Sequence, residues 1–135
     1  MKVLVDTSVW SLALRRERPV DDGFVRELIE LIDEQRVVMI GPVRQELLSG
    51  IRSEAHFNKL RDHLRAFPDL PLTSADFEVA AGFYNLCRAK GTQGSNTDFL
   101  LCAVAVNHGL TLLTADLDFT RFAGILPIRL HRTRP

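Results

Sequence analysis

This 135-residue chain is poor in the residues that staple, span or attract over distance. It has two cysteines, three lysines, one tryptophan and one tyrosine. Two cysteines cannot build a disulfide scaffold, and Cys87 and Cys102 form no CxxC pair for structural zinc. Both fall in apolar helical patterns, as expected of reduced, buried thiols. No unbroken apolar run exceeds Phe99 to Val106, far short of the roughly 20 residues a membrane-spanning helix needs. Asp6 interrupts the first apolar stretch and no small-residue cleavage site follows it, so we expect a cytoplasmic protein with no export signal and no membrane contact. The formal net charge is zero, so bulk charge cannot draw in nucleic acid and any basic face must be local.

What is present points to one packed domain over residues 1–135. Hydrophobic residues make up 46% of the chain, and a chain of this size can bury roughly two thirds of its unfolded surface without a staple. Arginine outnumbers lysine 14 to 3. Its planar fork grips phosphate or carboxylate with two parallel hydrogen bonds, although an arginine-rich genome explains the excess equally well.

Short apolar runs alternate with helical patterns along the chain. Lys2–Val5, Arg36–Ile40 and Thr111–Thr114 read as buried strands, Leu70–Leu72 as a short extended piece, and Leu126–Leu130 as a last strand. Helices are expected over Val9–Arg16, from Asp21 or Asp22 onward, after Pro42, over Ser53–Phe67, from Ser74 to about Lys90, and over Asp98–Asn107. The tail from Arg129 to Pro135 is expected to fray. Strands alternating with helices predict a parallel sheet with helices on both faces, an α/β fold.

Four acids occupy matching places in that pattern. Asp6 follows the first strand and Asp116 follows the strand at Thr111–Thr114. Glu46 lies early in the helix after the second strand, and Asp98 opens the apolar helix. All four map to the crevice outside the carboxyl ends of the strands, where open parallel sheets bind ligands. Each alone is explained by a cap, a turn or a solvated helix face; their joint placement is what points to a site. Two unit charges 4 Å apart repel by roughly 4 kcal/mol at an effective dielectric of 20, so such a cluster calls for divalent cations. All-oxygen donors favour Mg²⁺ or Mn²⁺ over zinc. The matching chemistry is phosphodiester hydrolysis by metal-activated water, with Ser8 and Thr114 placed to orient that water, although for Ser8 a helix cap is the stronger reading.

The motifs Val3-Leu-Val-Asp-Thr-Ser-Val-Trp10, Pro42-Val-Arg-Gln-Glu-Leu-Leu-Ser-Gly50, Asp98-Phe-Leu-Leu-Cys-Ala-Val-Ala105 and Leu112-Leu-Thr-Ala-Asp-Leu-Asp-Phe119 resemble, in order and spacing, the four acidic motifs of PIN domains. The short length resembles the VapC toxins of type II toxin–antitoxin pairs. The resemblance implies a three-layer α/β/α sandwich with a central, mainly parallel sheet of about four to five strands. It also implies Mg²⁺- or Mn²⁺-dependent endonucleolytic cleavage of structured RNA (tRNA or rRNA), a VapB-like antitoxin as partner, and a homodimer. Carried over, Asp6, Glu46, Asp98 and Asp116 are the catalytic and metal-binding acids, with Asp118 as an accessory metal ligand.

A dehalogenase-type phosphatase would need a second acid where Ser8 stands, and a receiver domain would need a lysine after a late strand, whereas none follows Lys90. The remaining alternative is a non-catalytic PIN-fold module that binds RNA or protein; the complete acid set weighs against it. The RNA path is expected to use at least two of Arg15, Arg16, Arg18, Arg44, Arg52 and Arg121. His56 and His63 read as surface residues. Val9, Trp10 and Leu12–Leu14 exceed the needs of one short core-facing helix, so a partner face is expected there.

Overall fold

The computed structural model describes residues 1–14 and 21–135. Its elements are β1 (Val3–Val5), α1 (Thr7–Leu14), α2 (Gly23–Asp33), β2 (Val37–Val38), α3 (Gly41–Leu48), α4 (Glu54–Leu64), α5 (Ser74–Ala89), α6 (Asn96–Asn107), β3 (Thr111–Leu113) and α7 (Asp118–Ala123). The three strands pair in the order β2-β1-β3, all parallel, with Leu4 opposite both Val38 and Leu112. Chain order therefore reverses direction on either side of β1, which makes its carboxyl end the switch point where a crevice opens.

The expected four to five strands become three strands and two single bridges. Leu70 donates its N–H to the Met39 carbonyl and Asp69 bridges Met39, while Leu130 bridges Leu112. Neither contact grows into a strand, and each lies beside prolines: Pro68 and Pro71 in one segment, Pro127 in the other. Proline has no N–H to donate, so ladders do not propagate past it.

Caps set most helix starts. Asp22 accepts the Phe24 N–H at 2.7 Å, Ser53 accepts that of His56 at 3.2 Å, and Ser95 accepts that of Asp98 at 3.1 Å. Pro42 stands in the first turn of α3, where its missing N–H costs nothing. The α5 cap is Thr73, one residue before the expected Ser74, because the Asp76 carboxylate reaches back to the Thr73 N–H at 3.0 Å. Gly109, with φ +66°, takes the left-handed turn after α6. The short helix α7 escapes a reading of apolar periodicity, since six residues span less than two turns.

The core closes around α6, whose residues Phe99 to Ala105 are all buried. Phe99, Phe119 and Phe122 stack beside one another with centroids 5.0 and 5.2 Å apart. Cys87 and Cys102 are free and buried, as expected.

Two expectations are corrected. In α1, Val9 and Trp10 are core residues, Trp10 lying edge-on to Phe67 at 5.0 Å, and Leu12 to Leu14 are half-buried. Burial, not an open partner face, therefore accounts for the strongest of those apolar residues. The C-terminal tail does not fray. His131 Nε2 lies 2.7 Å from the Glu27 carboxylate, and Arg134 reaches both Glu27 and Glu34, so the tail clasps α2. Glu27 is itself 2% exposed, and a buried carboxylate of this kind requires such partners.

Candidate active site

Asp6 leaves β1 directly into α1 and is 7% exposed. Two hydroxyls hold it: Ser8 Oγ and Thr114 Oγ1 each donate to Asp6 Oδ2 at 2.8 Å. Both bonds land on the same oxygen, and among the described residues Oδ1 receives none. Ser8 was expected as a helix cap; it instead spans from Asp6 to the Ala115 N–H, which it accepts at 3.0 Å. Thr114 in turn accepts the Asp116 N–H at 3.0 Å, and Asp116 Oδ1 accepts the Asp118 N–H at 2.9 Å. One continuous chain of hydrogen bonds thus fixes the turns after β1 and β3 against each other.

The other two acids come from helix starts. Asp98 Oδ2 accepts the Ser95 N–H at 3.0 Å in a reciprocal capping box at the head of α6. Glu46 sits on α3 and lines a cleft of about 380 Å3 with Pro42, Gln45, Ser49 and Thr97, the neighbour of Asp98. Larger concavities, of about 580 Å3 between α1 and α4 and about 810 Å3 around Lys2, Gln35 and His108, contain no acid of this group. Volume therefore does not locate the chemistry.

Electrostatics link all four acids. The Glu46 carboxyl is held above its ordinary range by desolvation and by repulsion from Asp6 and Asp98. Because Glu46 as a residue is open to water, the repulsion is the more telling cause. The Asp98 carboxyl is also pushed up, first by desolvation and then by Asp6 and Asp116, against the lowering effect of Ser95. Acids raised by burial and by neighbouring carboxylates are candidates for a functional site.

The donor chemistry fits a hard divalent ion. The oxygens come from carboxylates, hydroxyls stand beside them, and no histidine shares the cluster. Burial pushes the Cys102 thiol up, and the nearby Asp98 and Asp6 push it further, so it stays protonated and is no ligand. Among the described residues no three acidic, histidine or cysteine side chains are drawn into a closed metal-ligating group.

Other expected residues take different places. Asp118 pairs with Arg121 at 2.7 Å in the first turn of α7, so its carboxylate already has a cation, and the Arg121 guanidinium already has an anion. Arg44 is already engaged within the fold. It bonds Asp69, the Leu64 carbonyl and the Phe67 carbonyl, bracing the segment after α4 against α3. Arg52 is exposed, while Arg15, Arg16 and Arg18 lie outside the described residues. His56 and His63 lie on α4, lining the concavity between it and α1, as surface residues. The supporting role of Thr114 as a second donor to Asp6 was visible only as proximity in sequence to Asp116.

A family model for the PIN domain matches residues 3–125. Ribonuclease VapC11 of Mycobacterium tuberculosis is 33% identical over 125 residues, covering 91% of this chain and 92% of that protein. Ribonuclease VapC51 of the same organism is 30% identical over 127 residues, covering 93% and 88%. Among solved structures, VapBC2 from Rickettsia felis bound to a promoter DNA fragment superposes with a TM-score of 0.78 at 20% identity, covering 97% of this chain and 98% of that one. FitAcB from Neisseria gonorrhoeae superposes at 0.77 and 24%, covering 96% of each. The matches run over nearly the full length, and the chain belongs to the PIN domain family, among the VapC ribonucleases.

Proposed function

We propose that this protein is a Mg²⁺- or Mn²⁺-dependent endoribonuclease and the toxin of a VapBC-type pair. The observation that carries the reading is the electrostatic contact among Asp6, Glu46, Asp98 and Asp116 near the switch point of the sheet: desolvation and the charges of Asp6 and Asp98 raise the Glu46 carboxyl, and desolvation and the charges of Asp6 and Asp116 raise that of Asp98. These four residues would hold the ion. When bound, it would supply Lewis-acid activation of water and offset negative charge on a phosphate.

The chain's own residues do the positioning. Ser8 and Thr114 donate to one oxygen of Asp6, fixing the carboxylate plane and leaving the other oxygen for the ion. The Asp118 N–H does the same for Asp116, whose Oδ1 it occupies. Ser95 holds Asp98 at the start of α6, where the helix dipole softens the clustering of negative charge. Asp118 keeps an accessory part in this reading, as a carboxylate that Arg121 would have to release before it reached an ion.

The family resemblance extends the substrate to structured RNA, such as a tRNA or an rRNA loop. The similarity to VapC ribonucleases, and to solved VapBC structures such as those from Rickettsia felis and Salmonella typhimurium, supports a VapB-like antitoxin as partner, and the family resemblance implies a homodimer. Among the described residues no helix is long and apolar enough to cross a membrane.

The test is cleavage of total cellular RNA by the purified protein. Discrete fragments should appear with Mn²⁺, vanish with EDTA and return when Mn²⁺ is restored in excess. Intact RNA under all three conditions would leave a binding module as the better reading.

A further inference from the structure

A small notch lies next to the loop that leads into α6 and Asp98, on the side of α6 that faces α5. The two helices run antiparallel: Asp76 at the start of α5 touches Asn107 and His108 at the end of α6, and Tyr84 meets Phe99 near its start. The carboxyl end of α5 therefore lies next to the head of α6. There Tyr84, Arg88, Thr92, Gln93, Gly94 and Phe99 enclose a notch of about 210 Å3. That is below the roughly 300–1,000 Å3 of pockets that enclose a drug-sized ligand, and it suits one planar ring.

The notch is built on a firm floor. Phe99 is buried and stacks on Phe122 and on the edge of Tyr84. The backbone of Gly94 lies so close to these rings that an added Cβ would stand 2.6 Å from Phe122 Cζ and 3.0 Å from Phe99 Cε2. No larger residue fits there without displacing the loop. The next residue, Ser95, is tied to Asp98 by hydrogen bonds of 3.0 and 3.1 Å. The wall of the notch and the grip on a candidate metal-binding acid are consecutive residues of one loop.

Its chemistry differs from that of the acid cleft. None of the six lining residues is acidic. Arg88 is exposed, and, unlike those of Arg44 and Arg121, its guanidinium has no ion-pair partner among the described residues. A guanidinium beside aromatic edges and a side-chain amide is the set that receives an unpaired base and its phosphate.

We propose that this notch is a nucleotide subsite for the RNA strand running past the acids. Arg88 binds the phosphate of the nucleotide next to the cleaved bond, and the base enters against Tyr84 and Gln93. The proposal rests on the ribonuclease reading and adds the residue that positions the strand, Arg88, which lies in none of the four acidic motifs.

Binding of a short, unpaired, fluorescein-labelled oligoribonucleotide tests it, read by anisotropy across a salt series. The Asp6→Asn background with Mg²⁺ keeps binding separate from cleavage. Arg88→Ala should weaken binding about tenfold and reduce the salt slope by about 0.7, the value for one lost phosphate contact on a single strand. Arg88→Lys should restore the slope. Arg65→Ala, which removes the same charge just after α4, where Arg65 faces Asp62, should change neither. With Asp6 intact, Arg88→Ala should raise KM and leave kcat nearly unchanged. Affinity and slope unchanged by Arg88→Ala, or equal losses with Arg65→Ala, would overturn the subsite. A parent protein that cleaves no RNA would instead sink the nuclease reading, while the binding series would still decide the subsite.

Discussion

Asp6 and Glu27 are both buried carboxylates, 7% and 2% exposed, in opposite surroundings. Glu27 faces cations. Burial would raise its carboxyl, yet hydrogen bonds from His131 and Arg134 outweigh burial and hold it below its ordinary value. Asp76, 1% exposed, repeats the pattern with the Thr73 backbone, Asn107 and His108. Asp6 faces hydroxyls and other acids, and its neighbours Glu46 and Asp98 are raised by it. A buried acid whose partners offset its charge ties elements together, here α2 to the tail and α5 to α6. Acids that confront one another turn part of their charge against the apo fold, even where, as at Asp6 and Asp98, hydrogen bonds to the same carboxylates tie turns and a helix start together. The two groups should therefore separate under mutation, one through stability and the other through activity.

The largest effect is expected at Asp6. Asp6→Asn should lower RNA cleavage by at least about 100-fold, since even residues that only orient metal ligands cost 10–100-fold. Its melting temperature without metal should be equal to or above that of the parent, because one of the mutually repelling charges is gone. Cleavage at the parental rate would remove Asp6 from the centre. Thr114→Val comes next, with an expected loss of about 10-fold in activity or metal affinity, as it deletes one of the two donors on Asp6 Oδ2. A Mn²⁺ titration of activity reads which of the two is lost, and an unaltered titration curve would confine Thr114 to the fold.

Glu27→Ala should invert the pattern. Its loss strands His131 and Arg134, and stability should fall by about 2 kcal/mol, below the usual 3–5 for a broken buried pair, because Arg134 remains partly hydrated. That corresponds to roughly 5–10 °C in melting temperature, with cleavage per folded molecule unchanged. Cleavage lost in proportion beyond the folded fraction would tie the clasp to the active centre.

The smallest effect is in pH. The Glu27 and Asp76 carboxyls lie below their ordinary 4.5 and 3.8, so their stabilisation is present above those values and is lost as pH falls through the lower folded values. Glu46 and Asp98 lie above their ordinary 4.5 and 3.8, so they favour the fold most under acid, and that contribution disappears as pH rises through the raised folded values. In EDTA, Glu46→Gln should be more stable than the parent at pH 7 by about a few tenths of a kcal/mol, as suits a partly solvated charge. The advantage should vanish near pH 4. An advantage independent of pH would mean that charge is not its source.

Much of the candidate site was legible along the chain, and the reason is local. Asp6, Asp98 and Asp116 follow a strand, open a helix and follow a strand, so their placement at one sheet edge comes from the α/β alternation alone. Arg44 shows the limit of that reasoning: its position beside Glu46 made it a candidate for RNA, but it is spent on two backbone carbonyls and Asp69 some distance along the chain. The tail shows it again, since a basic terminus reads as frayed until its partners on α2 are known. Arg88 drew no attention in sequence because nothing near it in the chain is acidic or motif-like.

The order of strands and helices, the caps and the four acids were set by residues within a few positions of one another, where hydrogen-bond geometry and apolar period act directly. Which hydroxyls grip Asp6, which arginines are already paired, and where the loop before Asp98 presses on Phe99 depended on groups brought together from distant parts of the chain. Contacts of that kind are fixed only when the whole core packs, because a side chain's partner is chosen by what shares its space, not by what precedes it.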